Sequence, residues 1–150
     1  MALAARSFQL TAVYKHSENL PTPQCARAPQ ALVRRRRIIV LDDEPALLRT
    51  WQAILEAHGF EPVCCQRAAD ALGEVARGCD LVMTDYHMPD MTGIEVIRAA
   101  QTISSVNVMV MTANDSPRLR GAALAAGAAC VVAKPAPIKS VIEIIEKLCG

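Results

Sequence analysis

From Arg37 onward, two kinds of apolar pattern take turns along the chain. Short continuous runs come first: "IIVL" (38–41), "EPVCC" (61–65), "DLVMT" (80–84), "VNVMVMT" (106–112) and "AACVVA" (128–133). Each is followed by a segment of helical period. Residues 44–60 place Leu47, Leu48, Trp51, Ile54 and Leu55 on one stripe, with Pro45 in the first turn and Gly59 at the stop. Residues 67–77 form the second predicted helix, ended by Gly78, and residues 94–101 the third. Ser116 as N-cap and Pro117 at the first helical position open the fourth, over 117–127, and the last covers 137–149. The strands are continuous rather than alternating, as in strands buried on both faces. Strand and helix in strict alternation predict an α/β fold: a doubly wound five-stranded parallel sheet with helices on both sides.

Composition refines this picture. The chain has 150 residues, 52% of them apolar but only 3% aromatic, so the core must be aliphatic. No apolar run approaches the roughly 20 residues that span a bilayer. The six cysteines show neither C-x-x-C nor Cys/His ligand spacing, which leaves free, mostly buried thiols and a reducing, cytoplasmic setting as the expectation. Charge is uneven. Residues 1–37 carry seven basic residues against one acid, whereas residues 38–150 carry nine against fourteen. Residues 1–36 also hold Pro21, Pro23 and Pro29 and end in "RRR", continued by Arg37. They read as a flexible basic tail, with a basic contact arm or a targeting segment as alternatives. The domain is expected over 37–149.

In a parallel α/β sheet, ligands bind at the carboxyl ends of the strands. The first strand ends in Asp42, Asp43 and Glu44, the third on Asp85, the fourth on Thr112 and the fifth on Lys134-Pro135. If the fold holds, carboxylates, a hydroxyl and an ammonium meet at one edge. Two unit charges 4 Å apart repel by about 4 kcal/mol at an effective dielectric near 20, and one lysine does not neutralise three acids. A divalent cation does, and an all-oxygen donor set suits Mg²⁺. Mg²⁺ in turn suits phosphoryl chemistry, with Asp85 as a carboxylate nucleophile and Lys134 and Thr112 as phosphoryl contacts. Neither G-x-x-x-x-G-K-[ST] nor G-x-G-x-x-G occurs, so the phosphoryl group is expected from a separate donor. Each feature also has a plainer reading. Asp42–Glu44 can serve a helix N-terminus, Asp85 can begin a turn, Thr112 can be an ordinary strand-end residue and Lys134 a solvated one. Trp51 reads as core, and Asp90 and Glu95 as solvated loop and helix-start acids.

Taken together, "IIVLDDEP", "LVMTDYHMPDMTGIEVI", "VMVMTA", "GAALAAGA" and "VVAKP", in that order, resemble the receiver domain of two-component response regulators, nearest in size to the single-domain, chemotaxis-type members. The resemblance covers residues 37–149. It implies a flavodoxin-like (βα)5 fold and a switch that catalyses its own aspartyl phosphorylation and dephosphorylation. Asp85 then looks like the phosphoacceptor and Asp43 like a direct Mg²⁺ ligand. Asp42 would hold the metal through water, and the His87 backbone carbonyl would complete the set. Thr112 looks like the switch hydroxyl, and Lys134 like the phosphoryl contact, followed by Pro135 on a cis bond. Where the family often carries Tyr or Phe, this chain has Val131, and His87 and Asn114 occupy positions that tune phosphoryl lifetime. The implied partners are a sensor histidine kinase or phosphotransfer protein as donor and a downstream protein bound through the fourth helix, fifth strand and last helix. No membrane or nucleic-acid partner is expected.

Other classes fit less well. An aspartate-nucleophile phosphatase needs D-x-D after the first strand, where this chain has "LDD". A flavin domain needs a phosphate loop where "DDEPA" stands. A receiver-like scaffold that is never phosphorylated remains the alternative, prompted by Val131. With no output domain after Gly150, a diffusible or partner-docked regulator is expected, the alternative being a fragment of something longer.

Overall fold

The computed structural model describes residues 33–150. Almost all of the expected basic tail, and Cys25 with it, lies outside the described residues. The compact unit runs from Arg35 to Gly150.

Among the described residues, five strands alternate with five helices in the expected order. They are β1 (Arg37–Leu41), α1 (Pro45–Ala57), β2 (Glu61–Cys65), α2 (Ala68–Arg77), β3 (Leu81–Asp85), α3 (Gly93–Ile103), β4 (Asn107–Thr112), α4 (Pro117–Ala126), β5 (Cys130–Ala133) and α5 (Ile138–Cys149). Every pairing is parallel and the sheet order is β2-β1-β3-β4-β5. The order reverses at β1, so β1 and β3 lie side by side although α1, β2 and α2 separate them in the chain. Their carboxyl ends form the crevice in which such sheets bind ligands.

Successive strand residues point to opposite faces, so each continuous apolar run feeds two cores. Ile39, Leu41, Val82, Val108 and Val110 pack against α2, α3 and α4 through Ala71, Val75, Val96, Ile97, Ala100 and Ala123. Ile38, Val40, Leu81, Met83, Met109 and Met111 pack against α1 and α5 through Leu48, Leu55, Val141, Ile142 and Ile145. β2 lies on one edge of the sheet and is buried only at Cys65, and an edge position tolerates Pro62.

The boundaries differ from the sequence expectation where side chains outside the local pattern intervene. β3 begins at Leu81, not Asp80. The Asp80 carboxylate accepts from the Arg37 backbone N–H at 2.7 Å and its own N–H donates to the Arg37 carbonyl at 2.8 Å, which joins β3 to β1 below the ladder. Arg67 occupies the N-cap position of α2 rather than its first turn, without a side-chain bond to the helix, and Pro137 does the same for α5. Ser116 caps α4 as expected, accepting from the Leu119 N–H at 3.2 Å. Gly127 ends α4 in the left-handed region, at φ 107°. α1 buries Leu48 and Leu55 fully, while Trp51 and Ile54 are half-buried against the same core. Of the five described cysteines only Cys65 is buried; the other four are half-buried, so "mostly buried" overstates them.

Candidate functional site

The site grows out of the strand ends. Asp42 follows β1. Its N–H donates to the Cys65 carbonyl at 3.2 Å, and its Oδ1 accepts from the Glu44 N–H at 2.9 Å. That second bond turns the chain into α1, where Pro45 needs no donor at the first helical position. The side chain of Asp42 is consequently buried, while Asp43 is exposed. Asp85 is the last residue of β3, half-buried, and the Tyr86 N–H behind it donates to the Met111 carbonyl at 2.9 Å. Lys134 follows β5 and precedes a cis peptide bond to Pro135. Its backbone N–H donates to the Thr112 carbonyl at 2.8 Å, and its Nζ reaches Asp85 Oδ1 at 3.0 Å and Asp42 Oδ2 at 3.4 Å.

One carboxylate oxygen each from Asp42, Asp43 and Asp85 lies within 4.8 Å of the others. Among the described residues the Lys134 ammonium is the cation that meets them, so carboxylates outnumber cations at this edge. Burial depresses the pKa of Lys134, but the hydrogen bond and charge of Asp85, followed by those of Asp42, outweigh it and raise the value above 10.5. The ammonium is therefore held charged. Beneath the three groups is a cavity of about 10 Å³, shared by Asp42, Asp85 and Lys134 with Trp51, Met83 and Met111. That is about the space one water needs. Trp51, read as core, packs half-buried against the core that α1 and α5 cover and also forms one wall of this cavity.

The loop after β3 is held on both sides. Gly93 donates its N–H to the Tyr86 carbonyl at 2.8 Å, and a Cβ there would stand 3.1 Å from the Tyr86 Cα, so only glycine permits this approach without displacement. Thr92 and Glu95 form a reciprocal capping box at the start of α3. That bonding from Thr92 lowers the Glu95 pKa. Asp90 accepts from the Ala68 N–H at 2.9 Å and so caps α2 from 22 positions away. Glu95 is thus the exposed helix-start acid expected, whereas Asp90 is more than a solvated loop acid, and its contact has no local signal in the sequence. The His87 side chain is exposed and meets the Tyr86 ring edge-on at 4.7 Å between centroids.

Thr112 ends β4 with its hydroxyl buried. That hydroxyl accepts from the Asn114 N–H at 3.1 Å and lies 3.3 Å from the Asn114 carbonyl, to which it donates. Asp42, Asp43, Asp85 and Lys134 thus form one constellation, with Thr112 beside it and turned to its own loop. An oxygen-only donor set with excess negative charge at an open edge fits a hard divalent cation such as Mg²⁺.

The family model for the response regulator receiver domain matches residues 38–146. The two-component response regulator ARR2 of Arabidopsis thaliana is 30% identical over 111 residues, covering 72% of this chain and 17% of that protein. The sensory transduction protein RegX3 of Mycolicibacterium smegmatis is 32% identical over 109 residues, covering 72% of this chain and 48% of its own length. The chain therefore spans less than half the length of these relatives. Among solved structures, the CheY-like response regulator receiver domain protein of Methanospirillum hungatei JF-1 superposes with a TM-score of 0.71 at 29% identity, over 76% of this chain and 94% of that one.

Proposed function

This chain belongs to the response regulator receiver domain family, and on that footing we propose that residues 37–149 act as a phosphorylation-dependent switch with Asp85 as the phosphoacceptor. The observation that carries this reading is the position of Lys134, whose ammonium joins Asp85 and Asp42 across the sheet edge at 3.0 and 3.4 Å. A carboxylate held there beside a fixed cation is placed to attack phosphorus and to have the arriving charge met at once.

The donor is a phosphohistidine of a sensor histidine kinase or phosphotransfer protein. An Asp85 carboxylate oxygen forms the new P–O bond as the P–N bond breaks, and the imidazole departs with the bonding pair. Asp42, Asp43, Asp85 and the His87 backbone carbonyl would hold Mg²⁺, which offsets the negative charge of the phosphoryl oxygens. The exposed carboxylate of Asp43 suits direct ligation. Asp42 is already engaged by the Glu44 N–H and by Lys134, which suits contact through water. Lys134 pairs with a phosphoryl oxygen, and Thr112 turns its hydroxyl from Asn114 toward the new group. The doubly charged group biases the surface of α4, β5 and α5, through which a protein target is engaged.

The test is incubation of the full chain with Mg²⁺ and either a phosphorylated histidine kinase or acetyl phosphate, read by intact mass. One base-labile phosphoryl group is expected on the native chain and none on Asp85→Asn. If the native chain takes up none, the reading of a scaffold that is never phosphorylated replaces this one; equal labelling of the variant removes Asp85 from its role.

A further inference from the structure

The Thr112 hydroxyl is tied to a loop that is itself tied down. Asn114 holds the hydroxyl through its N–H at 3.1 Å and its carbonyl at 3.3 Å. The next residue, Asp115, accepts from Arg120 Nη2 at 2.6 Å and from Nε at 3.1 Å. The remaining arm of the same guanidinium, Nη1, donates to the Val131 carbonyl at 3.1 Å. Arg120 lies on α4, Asp115 in the loop between β4 and α4, and Val131 on β5, the strand at the edge of the sheet. The Val131 side chain is buried in the core, so on this side the strand presents its carbonyl. A planar fork with five donors in fixed directions is suited to joining a carboxylate and a carbonyl on two different elements.

We propose that Arg120 is a positioning residue: by holding Asp115 and the Val131 carbonyl together it keeps residues 113–116 in their resting place and so opposes the turn of Thr112 toward a group on Asp85. This rests on the reading of Asp85 as phosphoacceptor. When Thr112 leaves Asn114, both bonds to that residue are lost and the loop is released. Asp115 moves with the loop, the pair with Arg120 opens, and α4 is freed from β5. Linkage runs in both directions. Weakening the Arg120 contacts must favour the state that accepts the anion, and the anion must loosen the Arg120 contacts.

Two variants separate this from a plain charge effect. Arg120→Met removes a positive charge and Asp115→Asn a negative one. Through the field alone, the first weakens binding of an anion at Asp85 and the second strengthens it. As a latch, both strengthen it. Beryllofluoride with Mg²⁺ serves as the phosphoryl stand-in, and each variant is first checked for cooperative unfolding. Both variants are expected to bind about 3- to 10-fold more tightly than the native chain, the range that partly exposed pairs and single hydrogen bonds support. Unchanged or weaker binding by Arg120→Met overturns the proposal. A ligand-free measurement keeps the two readings apart. Hydrogen exchange of the Asn114 amide is expected to quicken several-fold in Arg120→Met, and an unchanged rate overturns the latch whatever the anion does. If the native chain binds no beryllofluoride while Asn114 exchange still quickens, the phosphoacceptor reading fails, and with it the coupling to Asp85.

Discussion

Replacing Lys134 with Met keeps most of the stem and removes the ammonium. Two carboxylates then lose their common cation. At the observed 3.0 and 3.4 Å each attraction is about 5 kcal/mol at an effective dielectric near 20. Solvent reduces this, because the side chains of Lys134, Asp85 and Asp42 are 24%, 16% and 8% exposed. Fully exposed pairs contribute about 0–1 kcal/mol, whereas breaking a fully buried one costs about 3–5 kcal/mol. Asp42 also keeps its bond from the Glu44 N–H. The expected loss is therefore about 2 kcal/mol, or roughly 6–10 °C in Tm for a domain of this size. The same bookkeeping predicts a second effect. A divalent cation must compete with Lys134 in the native chain but meets an uncompensated acidic cluster in the variant. Mg²⁺ should therefore raise the Tm of Lys134→Met more than that of the native chain and recover most of the loss. Thermal unfolding followed by circular dichroism, in chelator and in millimolar Mg²⁺, reads both effects. A variant that melts with the native chain in chelator, or that gains less from Mg²⁺, refutes the reasoning.

Gly93→Ala should destabilise the fold by about 1–3 kcal/mol in urea unfolding, since the new methyl meets the Tyr86 backbone at 3.1 Å, and by shifting Tyr86 it should also slow Asp85 labelling. Asp90→Ala removes the cap from the Ala68 N–H and should cost about 1 kcal/mol, with faster amide exchange in the first turn of α2 as the local signature. Burial, aided by the charges of Glu74 and Asp70, raises the Cys65 thiol from 9.0 to about 11. Its folded pKa lies above the unfolded one, so the associated stability is complete below pH 9 and is lost as pH rises toward 11. The native chain should lose up to about 2 kcal/mol more than Cys65→Ala across that window in urea midpoints.

The sequence alone determined the elements and the chemistry at their ends. Apolar runs flanked by helical periods are local signals, and they located the five strands and five helices of the described residues to within a few residues. Proline and glycine marked the ends of α1, and Ser116 the start of α4, because caps and φ restrictions act on neighbouring residues. The family motifs then identified which strand-end residues to watch. Tertiary structure decided the rest. The order β2-β1-β3-β4-β5 makes Asp42 and Asp85 neighbours, and the turn after β5 sends Lys134 back across β4 to both of them. The bond from α2 to Asp90, Trp51 in the wall of the cavity and Arg120 between Asp115 and Val131 carry no local mark either. Each contact depends on register and on packing between elements far apart in the chain, and the period of a hydrophobic pattern encodes which face is buried, not what that face meets.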